Sequence, residues 1–169
     1  MGAHTSDPAV RASLDSFRRI VRALRQFDRE AEKRAGLSGA QVFVLQKLAE
    51  AGGTSINELA ARTHTHQSSV SVVAQKLVDR KLVRRMRSPR DARKVELALT
   101  DQGKALLRKA PPAAQDRLIA ALKSLAAPRR RLLNRLLADL IQKMRIEREP
   151  PTLFFEDHSP RRRRGGSNP

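Results

Sequence analysis

From Ser55 to Thr100 the period of the apolar positions changes twice, and the changes predict a short run of closely spaced elements. Ile56, Leu59 and Ala60 recur at helical spacing behind Ser55-Ile56-Asn57-Glu58. That opening is a capping box: the serine hydroxyl covers a free helix N–H and the carboxylate three residues on returns to the cap. A polar break at Thr63 and His64 ends this helix. Val70, Val73 and Leu77 then repeat at intervals of three and four in a second helix that starts at Gln67. Its other face is small and polar, with Gln67, Ser68, Ser69, Ser71, Gln75 and Lys76. Short hydroxyls and amides let a helix backbone come close to a major groove while still offering hydrogen bonds to base edges.

Beyond that helix the period falls to two. Leu82 to Arg87 reads as a strand, and Val95, Leu97 and Leu99 alternate with Lys94, Glu96 and Ala98 in a second one. Ser88-Pro89-Arg90-Asp91-Ala92-Arg93 between them predicts a turn, and Thr100 caps a further helix. Between Arg80 and Lys94 stand eight Lys or Arg and a single acid, Asp91. A solvated edge strand also uses basic residues, to prevent edge-to-edge pairing. The order of the surrounding elements favours a polyanion as the partner of this hairpin, with Arg85, Arg90, Arg93 and Lys94 as candidate contacts.

The flanks are helical. Leu14, Phe17, Val21, Leu24, Phe27 and Ala31 form an apolar stripe whose opposite face is rich in arginine. After Thr100 a helix runs to a break at Pro111-Pro112, and Leu118, Ile119, Leu122 and Leu125 resume the pattern. A last helix begins near Pro128, a good first-turn residue, and carries Leu132, Leu133, Leu136, Leu137, Leu140, Ile141 and Met144 in one broad band. One small domain cannot cover both bands. The expected fold is therefore mainly α with a small β-hairpin wing (α+β), a winged helix-turn-helix at residues 38–100. Residues 11–37 and 101–146 would supply a helical dimerisation layer, between a flexible N-terminus at 1–10 and a flexible tail at 147–169. The competing arrangement is an intramolecular bundle within one chain.

Four pieces together give residues 38 to 104 a dense and specific resemblance to the MarR family of transcriptional regulators. They are Asn57-Glu58-Leu59-Ala60, Ser68-Ser69-Val70-Ser71, Leu82-Val83, and Pro89-Arg90-Asp91-Ala92-Arg93 continuing through Leu97-Ala98-Leu99-Thr100-Asp101-Gln102-Gly103. The resemblance implies a homodimer on double-stranded DNA, with paired recognition helices about 34–36 Å apart over a pseudo-palindromic operator. It also implies that Arg93 enters the minor groove and that Asp91 holds it. A tethered carboxylate two residues from a guanidinium would limit the rotamer freedom lost on binding. A small aromatic or anionic effector, bound where the helical layer meets the winged domain, is a further implication. Phe17, Phe27 and Phe43 are the aromatic candidates there, although their helical spacing fits core positions better.

Two positions depart from the family pattern. Val72 stands where an arginine or similar polar residue commonly faces the bases; it either packs against a thymine methyl or extends the core side of the helix. Lys81 stands where glycine is usual after the recognition helix, which predicts a strained C-cap.

The 169 residues carry a net charge of +18, from 35 basic and 17 acidic side chains, a balance that calls for a polyanion. The excess is not confined to one tail: residues 101 to 146 alone hold eleven bases against three acids. No 18-residue apolar run or signal-like N-terminus is present, so the expectation is a cytoplasmic protein with no membrane partner. The chain has no cysteine and so no thiol with which to sense oxidants. His64 and His66 read as helix-boundary residues rather than metal ligands, and no glycine-rich phosphate loop or acid–base set points to an enzyme, a metal or a cofactor. The alternative function is an architectural protein that coats DNA with little sequence preference. In the tail, Leu153 to Phe155 are expected to dock on a partner subunit and Arg161 to Arg164 to add phosphate contacts.

Overall fold

The computed structural model describes residues 7–88, 93–148 and 151–156. Within them the chain is mainly helical with one small hairpin. Helix α1 (Pro8–Ala35) starts a few residues before the expected boundary because Asp7 caps it and Pro8 occupies its first turn. Helix α2 (Gly39–Ala51) opens on a capping box of its own, Ser38 with Gln41. Helices α3 (Ile56–Thr63) and α4 (Gln67–Asp79) form the helix-turn-helix. Strands β1 (Val83–Arg87) and β2 (Val95–Leu99) pair antiparallel, with Val83 opposite Leu99 and Arg87 opposite Val95. Helices α5 (Asp101–Lys109), α6 (Ala114–Ser124) and α7 (Ala127–Met144) follow.

Phe43, Leu45, Leu48, Leu59, Leu77 and Leu82 are almost wholly removed from water and knit α2, α3, α4 and the base of the hairpin into one core. Helix α2 is buried on nearly every side, as its continuous apolar run Val42-Phe43-Val44-Leu45 requires. Thr54 bridges to β2, exchanging both backbone hydrogen bonds with Leu97 at 2.8 and 3.1 Å. The hairpin departs from simple alternation at two places. Ala98 is buried beside Leu97 and Leu99, whereas Val95 is 57% exposed because it lies out along the wing, beyond the reach of the core.

Strand β2 is joined to α5 by a close contact. The Thr100 hydroxyl accepts from the Gly103 N–H at 3.1 Å and lies within 2.8 and 3.2 Å of the carbonyls of Lys81 and Leu82. A Cβ on Gly103 would meet the Leu82 carbonyl oxygen at 2.1 Å, so only glycine fits there.

Helix α6 is fastened to the core from two sides. The Gln46 amide bonds Pro111 and Ala113 across the double-proline break, and Lys47 pairs with Asp116 at 2.7 Å. Burial works against the charge on Lys47, but its hydrogen bonds with Asp116 and Glu50 outweigh that and hold its pKa above the usual lysine value. Asp28, buried on α1, accepts the Gly39 N–H at 2.6 Å and ties α1 to the start of α2.

The terminal bands behave differently. Helix α7 has no buried residue, and Leu132, Leu136, Leu140, Ile141 and Met144 face solvent together. Val10, Leu14, Phe17, Ile20 and Val21 on the first half of α1 are exposed as well. The two bands do not cover each other within the chain, so the intramolecular bundle is not formed. The tail also departs from expectation: residues 151–156 pack on the chain's own winged core, with Leu153 only 4% exposed, instead of leaving Leu153 free for a partner subunit.

Candidate nucleic-acid interface

Helix α4 is amphipathic in the sense that a groove-reading helix requires. Val70, Val73, Ala74 and Leu77 are locked into the core, which fixes the helix, while Ser68, Val72 and Gln75 emerge from the opposite face. Gln67 is exposed at the helix start and Ser71 is half-buried at the edge of the same face. The turn between α3 and α4 is made by His64, at φ 52°, in the left-handed region. This backbone duty accounts for His64, as the sequence reading of a helix-boundary residue requires. His66 precedes α4 without a side-chain cap, so the first N–H groups of α4 have no such partner.

Val72 is 46% exposed. It belongs to the outward face and does not extend the core. Ser69 corrects the sequence reading in the other direction: it is 6% exposed, and its hydroxyl donates to the Pro151 carbonyl at 3.2 Å, so it does not stand on the open face with Ser68. Lys76 is half-buried, and its ammonium donates to the Glu156 carbonyl at 3.1 Å.

The end of α4 closes as the Lys81 substitution predicts. Lys81 adopts φ 59°, its N–H donates to Val78, and the Leu82 N–H reaches back to Leu77 at 2.9 Å. These two bonds form a Schellman motif with a lysine in the position glycine normally takes. Arg80, one residue earlier, donates to the Gly36 carbonyl at 2.9 Å and to Gln41 at 3.3 Å, tying the end of α4 to the end of α1. The sequence reading did not single out Arg80, because nothing local signals a partner 44 residues away.

The wing is coupled to α4 through side chains. Arg85 donates to Gln75 Oε1 at 2.6 Å, and Gln75 Nε2 donates to Asp79 at 2.6 Å. Two of the candidate contacts, Arg85 and Gln75, thus sit side by side at the junction of wing and helix. Arg84, Arg85 and Arg87 are exposed along β1, and Arg93 and Lys94 are exposed where the chain enters β2. Arg90 and Asp91 lie outside the described residues, and so does the expected Asp91–Arg93 contact. At the start of α3, Glu58 receives the Ser55 N–H at 3.1 Å and the Thr54 hydroxyl at 2.9 Å. The Ser55 backbone bond, followed by the Thr54 and Ser55 hydroxyls, holds its carboxyl below the usual glutamate range.

Residues 35–94, which contain the helix-turn-helix and its basic hairpin, match the sequence profile of the MarR family. Over that stretch the chain is similar to the MarR family. A curated relative, the HTH-type transcriptional repressor MdtR of Bacillus subtilis, is 34% identical over 74 residues. That match spans 44% of this chain and 48% of MdtR, about half of each. Among solved structures, Bordetella bronchiseptica BpsR, whose DNA binding is regulated by 6-hydroxynicotinic acid, aligns with a TM-score of 0.52 and 26% identity, covering 83% of this chain and 97% of BpsR. The MarR-family regulator Sco3205 of Streptomyces coelicolor, solved in complex with DNA, shares the fold with a TM-score of 0.55 at 23% identity, over 86% and 97% of the two chains. No helix among the described residues is long and apolar enough to cross a membrane.

Proposed function

We propose that this chain is a cytoplasmic, sequence-specific DNA-binding transcriptional regulator of the MarR type that acts as a homodimer and represses by occupying its operator. The observation that carries the reading is the division of α4: one face is anchored in the core by Val70, Val73 and Leu77, and the other presents Ser68, Val72 and Gln75 beside a wing of exposed arginines. Ser68, Ser71 and Gln75 offer hydrogen bonds to base edges, and Val72 offers an apolar surface suited to a thymine methyl. Arg84, Arg85, Arg87 and Lys94 supply phosphate contacts, and Arg93 the minor-groove probe. The exposed bands on α1 and α7 supply the surface for a second copy, which two-fold symmetry would match with an inverted-repeat operator. A small aromatic or anionic molecule that releases the operator fits the same reading, by analogy with BpsR. This function asks binding of the chain and no catalytic step.

The test is selection of bound sequences from a random duplex pool at about 150 mM salt, repeated with Arg93→Ala. An inverted repeat should be enriched, with roughly 10³-fold preference over random DNA, and Arg93→Ala should weaken or lose it. Tight, salt-sensitive binding with no enriched motif would replace this reading with that of an architectural DNA-coating protein.

A further inference from the structure

The segment at residues 151–156 lies along α4, and it takes up two of that helix's polar groups that the sequence singles out as candidate DNA contacts. Ser69 and Lys76 are seven residues apart, so they stand two turns apart on one flank of the helix, next to the face that carries Ser68, Val72 and Gln75. The Ser69 hydroxyl is spent on the Pro151 carbonyl and the Lys76 ammonium on the Glu156 carbonyl. Leu153 anchors the segment by burying its side chain in the core of the winged domain. Glu156 closes the segment into a turn, accepting the Leu153 N–H at 3.2 Å while its own N–H donates to the Leu153 carbonyl.

Charge favours the same placement. Between residues 147 and 157 acids outnumber bases four to one, in a chain whose net charge is +18. Of the described residues laid along α4, 151–156, the one charged side chain is acidic, Glu156. Its hold on α4 is through two carbonyls and one buried leucine, a contact small enough to open.

We propose that residues 151–156 form an intramolecular strap that competes with DNA for the flank of the recognition helix, so that binding DNA requires the strap to leave. The inference rests on the proposed DNA-binding function. A protein whose competent state is only partly populated binds with an affinity reduced by that fraction. Removing the anchor should therefore tighten binding without adding any contact to DNA.

The experiment compares the full chain with Leu153→Ser, and with Glu156→Ala as a second way to loosen the strap that leaves the core untouched. Amide hydrogen exchange is followed with and without the duplex selected as above, alongside the equilibrium affinity. In the unmodified chain, the Leu153 and Glu156 amides should be protected without DNA and exchange faster when it is added, while α4 becomes more protected. Leu153→Ser should exchange fast from the start and bind about tenfold tighter, with Glu156→Ala shifted the same way by less. Variants that release the strap yet bind no tighter would overturn the inference while leaving the DNA-binding reading intact, as would a strap that stays protected on DNA. Failure of all three chains to bind any duplex would overturn both.

Discussion

Leu59 and Leu136 are the same side chain in opposite circumstances: the first is wholly buried at the centre of the winged core, the second 58% exposed on α7. The contrast holds for their regions. The winged core satisfies its apolar side chains within one chain, through α2 buried on nearly every side and α3, α4 and the hairpin packed around it. The helical layer is fastened where it touches that core, by Asp28, Arg80, Gln46 and the Lys47–Asp116 pair, and then runs on into apolar bands that the described residues leave exposed. A monomeric soluble domain seldom leaves such a contiguous apolar surface open to water. One region is thus complete in a single copy, whereas the other leaves the surface that the proposed dimer would cover, which would make the spacing of the recognition helices a property of the assembly.

The sharpest way to test this contrast is to make one substitution in both regions. Leu59→Ala should cost about 2–5 kcal/mol, the transfer free energy of a buried side chain plus the cavity left behind. Leu136→Ala should leave the unfolding of a dilute, dissociated chain unchanged within about 0.5 kcal/mol. Denaturant titrations over a range of protein concentrations would read both. An equal, concentration-independent loss in the two variants would erase the distinction.

A smaller effect separates backbone strain at the end of α4 from the packing of the core. Lys81 holds a left-handed φ of 59° in the Schellman motif that ends α4, where a side chain carries a steric cost that glycine avoids. Lys81→Gly should raise stability by about 0.5–1 kcal/mol, read as a shift in the denaturant midpoint. A loss would mean that the lysine side chain contributes more than its backbone conformation costs.

What the sequence made legible followed from short-range chemistry. The Ser55–Glu58 capping box, the buried face of α4, the basic hairpin, the Thr100 cap and the left-handed bend at Lys81 all rest on residues within a few positions of one another. Helix α2 was poorly legible because it is apolar all round and has no period to detect, although Ser38 and Gln41 carried the same capping signature as Ser55 and Glu58. Across the candidate interface the outward placement of Ser68 and Gln75 matched the reading, and Val72 resolved to the outward face. Ser69 did not, because helical spacing alone places it near that face and says nothing of a carbonyl arriving from Pro151, 82 residues away. The Arg80 and Arg85 contacts escaped for the same reason: their partners are set by the fold and not by neighbours in the chain.

The most direct test of the claim that the helical layer needs a second copy is sedimentation equilibrium of the full chain beside the double variant Leu136→Glu/Leu140→Glu. The full chain should sediment at twice its 18.9 kDa at micromolar concentration, and the variant as a folded monomer with an intact winged core. A full chain that stays monomeric at those concentrations, or a variant that still dimerises, would contradict the account.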